Sequence, residues 1–388
     1  MKPPFHIVVI GAGAFGGWTA LHLQERGAHV TLLDAWGPGN SRSSSGGETR
    51  VMRGTYGPDQ PYTAMAARAL KLWGKYERRW KRKLLHRSGV LWMAEGEDEA
   101  FERGSIEMLR EARIKFEELS LAKMKKRWPQ INFSGIRWGI FEPECGYLEA
   151  RDSCQAVVEA FVAQGGKYRQ AEVLPEGLET SSLRSLRLSD RSKLKADIFV
   201  FACGPWLGKM FPQTIGNLIL PTKQEVFFFG TSAGDNRFTD PQMPVWADHS
   251  GHFLYGIPGN DHRGFKVADD TRGPAFDPTS GERVATEETL RTIRGYVAFR
   301  FPALKNAPLV ESRVCQYEQT PDSNFILDRH PGMENVWLLG GGSGHGFKHG
   351  PTIGEMMAKV ILGEREPEAS WRLSRFRTGT VTQNPDWR

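Results

Sequence analysis

The chain has 388 residues, 39% of them hydrophobic and 25% charged, and 51 Lys and Arg against 45 Asp and Glu leave a net charge of +6. This is the balance of a globular protein long enough for two domains, or for one large domain with an insertion. It excludes a membrane span, because apolar runs stop at strand length ("IFVFACG" from Ile198), and "MKPPFHIVVIGAG" enters a strand without a signal-peptide cleavage region.

The first predicted unit is a strand, a turn, a helix and a strand. His6–Ile10 is a short β-rich apolar run, as a buried parallel strand should be. Gly11, Gly13 and Gly16 follow in G-x-G-x-x-G spacing and open a helix that Gly27 ends; a second strand, Val30–Leu33, closes on Asp34. Gly11 permits the tight turn, Gly13 the approach of backbone to a pyrophosphate, and Gly16 close packing of helix on strand. The helix N-terminus offers N–H groups to phosphates. Asp34 is placed to accept both hydroxyls of an adenosine ribose and would repel a 2′-phosphate, which points away from NADP. The pattern predicts dinucleotide binding without separating NAD from FAD.

Next comes a Ser/Gly/Arg loop, "GPGNSRSSSGGETRVMRGTYG", whose small residues and hydroxyls suit a phosphate or ribityl chain and whose Arg50 and Arg53 suit an anion. The basic run "KYERRWKRKLLHR", Lys75 to Arg87, reads as an amphipathic helix with Tyr76, Trp80 and Leu84 on one stripe, so a solvated face is expected in place of a nucleic-acid site. "KADIFVFACGPW" (Lys195–Trp206) is a buried strand ending in Ala202, Cys203 and Gly204, small enough to admit a flat ring. "RGPAFDPTSGE" (Arg272–Glu282) reads as a surface excursion. Cys315, one of four cysteines, has no second cysteine or histidine cluster beside it and reads locally as a small buried hydrophobe; Cys145, Cys154 and Cys203 look equally unpaired. No metal site is expected, and the compartment is expected to be reducing and cytoplasmic. Finally, "NVWLLGGGSGHGFKHGPTIGEMMAKVILG" gives a strand, a glycine-rich turn lacking G-K-[S/T], and a helix with Pro351 near its start. Its N-terminus can face an acceptor that becomes negative on reduction, such as the N1–C2=O edge of a flavin.

With "GAGAFGG…D", "GGETRVMRGTYG", "ACGPW", "CQYEQTPDSNFILDRHP" and "GSGHGFKHG" in this order, the chain resembles the monomeric sarcosine oxidase family, flavoproteins of the D-amino-acid-oxidase-like superfamily, from about residue 5 to about residue 365. The resemblance implies an α/β, two-domain flavoprotein: a discontinuous Rossmann-type FAD-binding domain (1–86, 148–219 and 322–388) and a substrate domain on a mixed β-sheet (87–147 and 220–321). It implies FAD contacts from Gly11, Gly13, Ala14, Phe15 and Gly16 in the first turn, and from Asp34 and Ala35 after it. Further contacts are expected from Arg42, Ser43, Ser44, Thr49 and Arg50 in the serine loop. Val173, Ala202, Gly204 and Trp206 come from the middle of the chain, and Gly342, Gly344, His345, Gly346, Phe347 and Lys348 from the last turn.

The family's cysteine at the position of Cys315 is joined to the flavin 8α-methyl group by a thioether. Arg53 and Lys348 fall where the family binds the substrate carboxylate, Arg50 where an arginine lies against the flavin, and Lys266 where a lysine activates oxygen. Tyr255 and Tyr317 match aromatic walls of the substrate cavity. The implied chemistry is oxidation of the C–N bond of a secondary amino acid to an imine, with O₂ reduced to H₂O₂, in a monomer. The alternatives are a flavin dehydrogenase passing electrons to a carrier or quinone, and an NAD-dependent dehydrogenase. Two positions depart from the family: Gly46 and Asp270 stand where it carries histidines. Loss of an imidazole at 46 predicts a roomier cavity, and Asp270, if it faces the site, adds an anion near Arg53 and Lys348. A substrate bulkier than sarcosine is therefore expected.

Overall fold

The computed structural model describes residues 5–96, 98–176, 178, 182–249 and 253–377, so the expected FAD-binding segments run outside the described residues at 1–4, 177, 179–181 and 378–388. Two large sheets dominate. The first has six strands in the order Ile326–Arg329, Val336–Gly340, Ile198–Phe201, His6–Ile10, His29–Asp34 and Lys167–Gln170. All its pairs are parallel except the one formed by Ile326–Arg329 with Val336–Gly340. Its central strands His6–Ile10 and Ile198–Phe201 are buried and mostly apolar because both faces are covered, whereas the edge strand Lys167–Gln170 is polar. Helices Ala14–Glu25 and Gly350–Ile361 pack together on one face, and Phe199, Phe201, Leu207 and Phe211 join a second cluster on the other.

The second sheet is mixed and has eight strands: Leu309–Gln319, Leu220–Phe229, Phe265–Asp269, Leu254–Ile257, Val245–Asp248, Val90–Glu95, Ile136–Glu142 and Glu117–Ser120. Only Val245–Asp248 and Val90–Glu95 run parallel. Its core is aromatic, with Trp246, Phe265 and Phe301 in contact, and it holds a fully buried Arg300–Asp248 ion pair at 2.7 Å. A small sheet of Leu85–His86, Gly146–Glu149 and Thr49–Met52 completes the frame. Strand Gly146–Glu149 runs across the expected domain boundary at 147/148. No helix among the described residues is long and apolar enough to cross a membrane.

The expected helix Lys75–Arg87 is corrected. The helix is Gln60–Trp80, and Lys81 leaves it in the left-handed region at φ 54°. The Glu77 carboxylate then accepts the N–H groups of Leu84 (2.8 Å) and Leu85 (2.7 Å) and turns the chain into a strand. Tyr76 and Trp80 do share a stripe, packed on Trp18 at 4.8 and 5.6 Å, but Leu84 is buried from the following turn.

Candidate active site

Two connected cavities meet at the interface of the sheets. The longer one begins beside Asp34, passes the Gly11–Phe15 turn and the Ala202–Trp206 strand end, and finishes at Tyr317, Gly344 and Phe347. Gly11 has φ +107°, and a Cβ there would fall 2.2 Å from the Ala202 carbonyl oxygen, so the turn exists only with glycine. Gly16 sits beneath the turn, its α-hydrogen face against the Gly11 carbonyl, and packs helix on strand without lining the cavity. Ala35, Ser43, Ser44, Val173, Gly342 and Gly346 also line it.

Asp34 is more committed to the turn than the sequence suggests. Its Oδ2 accepts Ala12 N–H at 2.8 Å, and Oδ1 accepts Trp36 N–H (2.9 Å) and Gly37 N–H (2.8 Å). Three of about four lone-pair sites are thereby used, which leaves room for one ribose hydroxyl where two were expected. Burial raises its pKa against these three bonds.

Arg42, an expected cofactor contact, lies outside the cavity lining. It is exposed, lies over the Trp36 ring at 5.5 Å and donates to the Thr279 carbonyl at 3.2 Å. Trp206, on the cavity wall, donates through Nε1 to Thr279 Oγ1 at 2.9 Å, and Lys209 pairs with Asp277 at 2.8 Å. The expected surface excursion, residues 272–282, is thus a flap pinned beside the cavity mouth.

The shorter cavity shares Arg50, Tyr317, Gly344 and Phe347 with the longer one. At this junction Gly344 has φ +83°, and a Cβ would meet the Tyr317 ring at 2.6 Å. Arg50 donates to the carbonyls of Thr49 and Ser44, both at 2.8 Å, and its Nη2 lies 3.5 Å from Cys315 Sγ. Thr49 does not line either cavity. Its carbonyl accepts Lys266 Nζ at 3.0 Å and so holds the lysine against the junction. Lys266 is buried, and desolvation, with the Arg50 charge second, lowers its pKa to about 7. Tyr255 stands beside it, ring centroid 6.0 Å from Nζ.

Beyond the junction the cavity holds Arg53, Lys348, His345 and Asp270. Arg53 is clasped by its own turn: Glu142 accepts Gly54 N–H (2.6 Å) and both N–H and O–H of Thr55 (3.2 and 2.6 Å), while the guanidinium lies over the rings of Tyr56 (4.3 Å) and Trp92 (5.5 Å). Lys348 Nζ donates to Tyr56 OH (2.6 Å) and His345 O (2.8 Å), and burial followed by the Arg53 charge holds its pKa well below the lysine range. Two cations in one apolar pocket are costly unless an anion joins them. Asp270 does face this cavity; its Oδ1 accepts the Tyr317 hydroxyl at 2.5 Å, and burial raises its pKa.

Gly46 is corrected. It lines neither cavity, and a Cβ there would fall 2.2 Å from the Asn40 carbonyl oxygen, so the missing imidazole opens no space on the substrate side. Three contributors escaped sequence reading. Ser45 Oγ accepts Ala14 N–H at 3.0 Å, Tyr56 bridges Lys348 to His349 Nε2 (2.8 Å), and Glu318 is a buried carboxylate on the cofactor wall. Only Glu318 carried a signal, a charged residue inside an otherwise strand-forming run.

The elongated cavity, with its glycine turn, acidic end and flat junction, fits an FAD molecule. When bound, FAD supplies a two-electron acceptor. The family described as "FAD dependent oxidoreductase" matches residues 6–360, and the chain belongs to it. The chain is 28% identical over 382 residues to the monomeric sarcosine oxidase of Bacillus sp. (strain B-0618), covering 95% of each chain. It is 26% identical over 392 residues to the N-methyl-L-tryptophan oxidase of Salmonella dublin, covering 96% of this chain and 99% of that one. Among solved structures it resembles L-proline dehydrogenase from P. horikoshii, with a TM-score of 0.86, 22% identity, and coverage of 98% and 100%.

Proposed function

We propose that the protein oxidises the C–N bond of a secondary amino acid, N-alkyl or cyclic, to an imine, using FAD that O₂ reoxidises with release of H₂O₂. The observation that carries this is the cation pair Arg53 and Lys348 in a cavity that opens onto the cofactor cavity at Arg50, Tyr317, Gly344 and Phe347. An Arg fork and a Lys point charge suit a planar carboxylate, and a substrate so held presents its α-carbon and amine to the junction. Lys266 is a buried amine at the same junction, and its protonated form is placed to favour the negative charge that dioxygen acquires as the first electron arrives. Residues 1–86, 148–219 and 322–388 would form the FAD-binding domain and 87–147 and 220–321 the substrate domain, with Arg53 and Lys348 reaching the substrate from the first and Cys315 reaching the cofactor from the second. Four free cysteines suit a reducing, cytoplasmic compartment, and the likeness to a monomeric sarcosine oxidase suits a monomer.

Cys315 is the proposed covalent anchor, through a thioether to the flavin 8α carbon. Its support is the position of Cys315, half-buried in the lining of the shorter cavity with its Sγ 3.5 Å from Arg50 Nη2, which shares the junction. Acid-precipitated protein should keep its yellow colour, and a tryptic peptide spanning Cys315 should carry the mass of FAD; flavin released wholly into the supernatant would refute the bond.

A substrate larger than sarcosine, with a second polar group, is supported by Asp270, a side chain shorter than the family's histidine that puts an anion in the pocket. The likeness to an N-methyl-L-tryptophan oxidase points the same way. The test compares kcat/KM, read by H₂O₂ release, for sarcosine, N-methyl-L-tryptophan, proline and pipecolate in the parent and in Asp270→His. The parent should favour a larger acid and Asp270→His should shift the ranking toward sarcosine. Sarcosine as best substrate of both proteins would refute it.

A further inference from the structure

Strand Leu309–Gln319 sends Cys315 and Tyr317 to the junction and, by alternation, Glu318 to the opposite side. Glu318 is only 8% exposed and lines the cofactor cavity. Its Oε1 accepts Gly342 N–H at 3.2 Å, whereas Oε2 has no hydrogen-bond partner among the described residues. The wall around that oxygen is bare backbone: a Cβ at Gly340 would lie 3.3 Å from it and a Cβ at Gly204 3.9 Å. A buried acceptor left unmatched is costly, and native proteins rarely keep one without a partner.

The position of Oε2 along the cavity selects the partner. Gly204 follows Ala202, whose carbonyl abuts the Gly11 turn, so Glu318 lies just beyond the place for the pyrophosphate. The residues common to both cavities, which bracket a flat ring, begin one residue away at Tyr317. Between pyrophosphate and ring, FAD presents its ribityl chain. Burial pushes the Glu318 carboxyl up to about 7, and a hydroxyl, donor and acceptor in one group, matches Oε2 in either protonation state, whereas a phosphate or a carbonyl matches it in one only.

We propose that Glu318 recognises the ribityl chain of the cofactor, its Oε2 accepting a hydrogen bond from one ribityl hydroxyl. The inference rests on FAD as the cofactor and is independent of the thioether. It also gives Gly342 a reason, since a Cβ there would lie 3.0 Å from Oε1 and crowd the carboxylate.

The experiment uses the Cys315→Ala protein, in which binding is reversible whether or not the parent forms the bond. Dissociation constants are measured for FAD, for its three mono-deoxyribityl analogues and, by calorimetry, for ADP, with Glu318 intact and as Glu318→Ala. With Glu318 intact, one analogue should bind roughly tenfold to a hundredfold more weakly than FAD, the range for a hydrogen bond to a charged group. Glu318→Ala should weaken FAD by a similar factor and should bind that analogue no more weakly than FAD, with ADP affinity unchanged. Glu318→Gln, which can keep the Gly342 bond through its amide oxygen, should show a smaller loss with the same hydroxyl dependence, and it serves if the alanine variant does not fold. Equal losses for FAD and every analogue would mean that Glu318 only braces the glycine turn, and would overturn the proposal. Failure of FAD to bind even with Glu318 intact would overturn the cofactor reading, and this inference with it.

Discussion

Lys266 shows how little a single residue discloses before its neighbours are known. In the sequence it is one lysine in a strand; in the fold its Nζ is buried against the Thr49 carbonyl, with the Arg50 charge nearby. Lys266→Met should slow reoxidation of the reduced enzyme by roughly a hundredfold to a thousandfold, the typical effect of removing one preorganised group. Reduction by substrate in the absence of air should change far less, and equal losses in both half-reactions would refute the role. The same lysine sets a pH signature. Its pKa falls from 10.5 when solvated to about 7 when folded, so across that window the folded chain binds fewer protons than the unfolded one, and stability rises with pH. Chemical denaturation of apoprotein from pH 7 to pH 10 should show a flatter rise in Lys266→Met than in the parent. Gly46 and Asp270 mark the other limit of reading residues singly. The resemblance sets both against histidines of the family, but whether a position faces a cavity depends on backbone direction, which turned Asp270 in and Gly46 toward the Asn40 carbonyl.

The elements with strong local grammar were legible. The strand, glycine turn, helix and acid from His6 to Asp34 form as expected, because each step is dictated by neighbours within a few residues. The helix expected to reach Arg87 stops at Trp80 because Glu77 captures the backbone N–H groups of Leu84 and Leu85, a bond that four-residue periodicity cannot see. The flap at 272–282 was legible as an excursion but not as a closure, since its partners Arg42, Trp206 and Lys209 lie 68 to 237 residues away in the chain. If the flap retains the cofactor, Trp206→Phe combined with Thr279→Ala should speed FAD release from the Cys315→Ala protein. Both substitutions remove the same partly exposed hydrogen bond, which at about 1 kcal/mol or less gives an effect of up to roughly fivefold. An unchanged release rate, measured by stopped-flow fluorescence, would show that the flap only decorates the surface.

At the scale of the whole molecule, neither sheet contains the site. The six-stranded sheet supplies the glycine turns and Asp34, the eight-stranded sheet supplies Lys266, Tyr255, Cys315 and Tyr317, and the small sheet carries Arg50 on Thr49–Met52 with Arg53 directly after it. The assembly therefore requires the long-range register of Leu309–Gln319 with Leu220–Phe229, which opposes Cys315 to Gln224 and Tyr317 to Thr222. Sequence order alone could not place these groups together; the resemblance did so by borrowing a known arrangement. In the proposed function this junction brings an amino acid, held by Arg53 and Lys348, against the flavin. The most direct test mixes flavin-loaded protein anaerobically with the N-alkyl and cyclic amino acids of the panel and follows bleaching of the oxidised flavin band. The parent should bleach with at least one of them, while an Arg53→Ala, Lys348→Ala double variant should stay yellow with all of them yet bleach fully with dithionite. A parent that no amino acid reduces, or a double variant reduced as fast as the parent, would contradict the account.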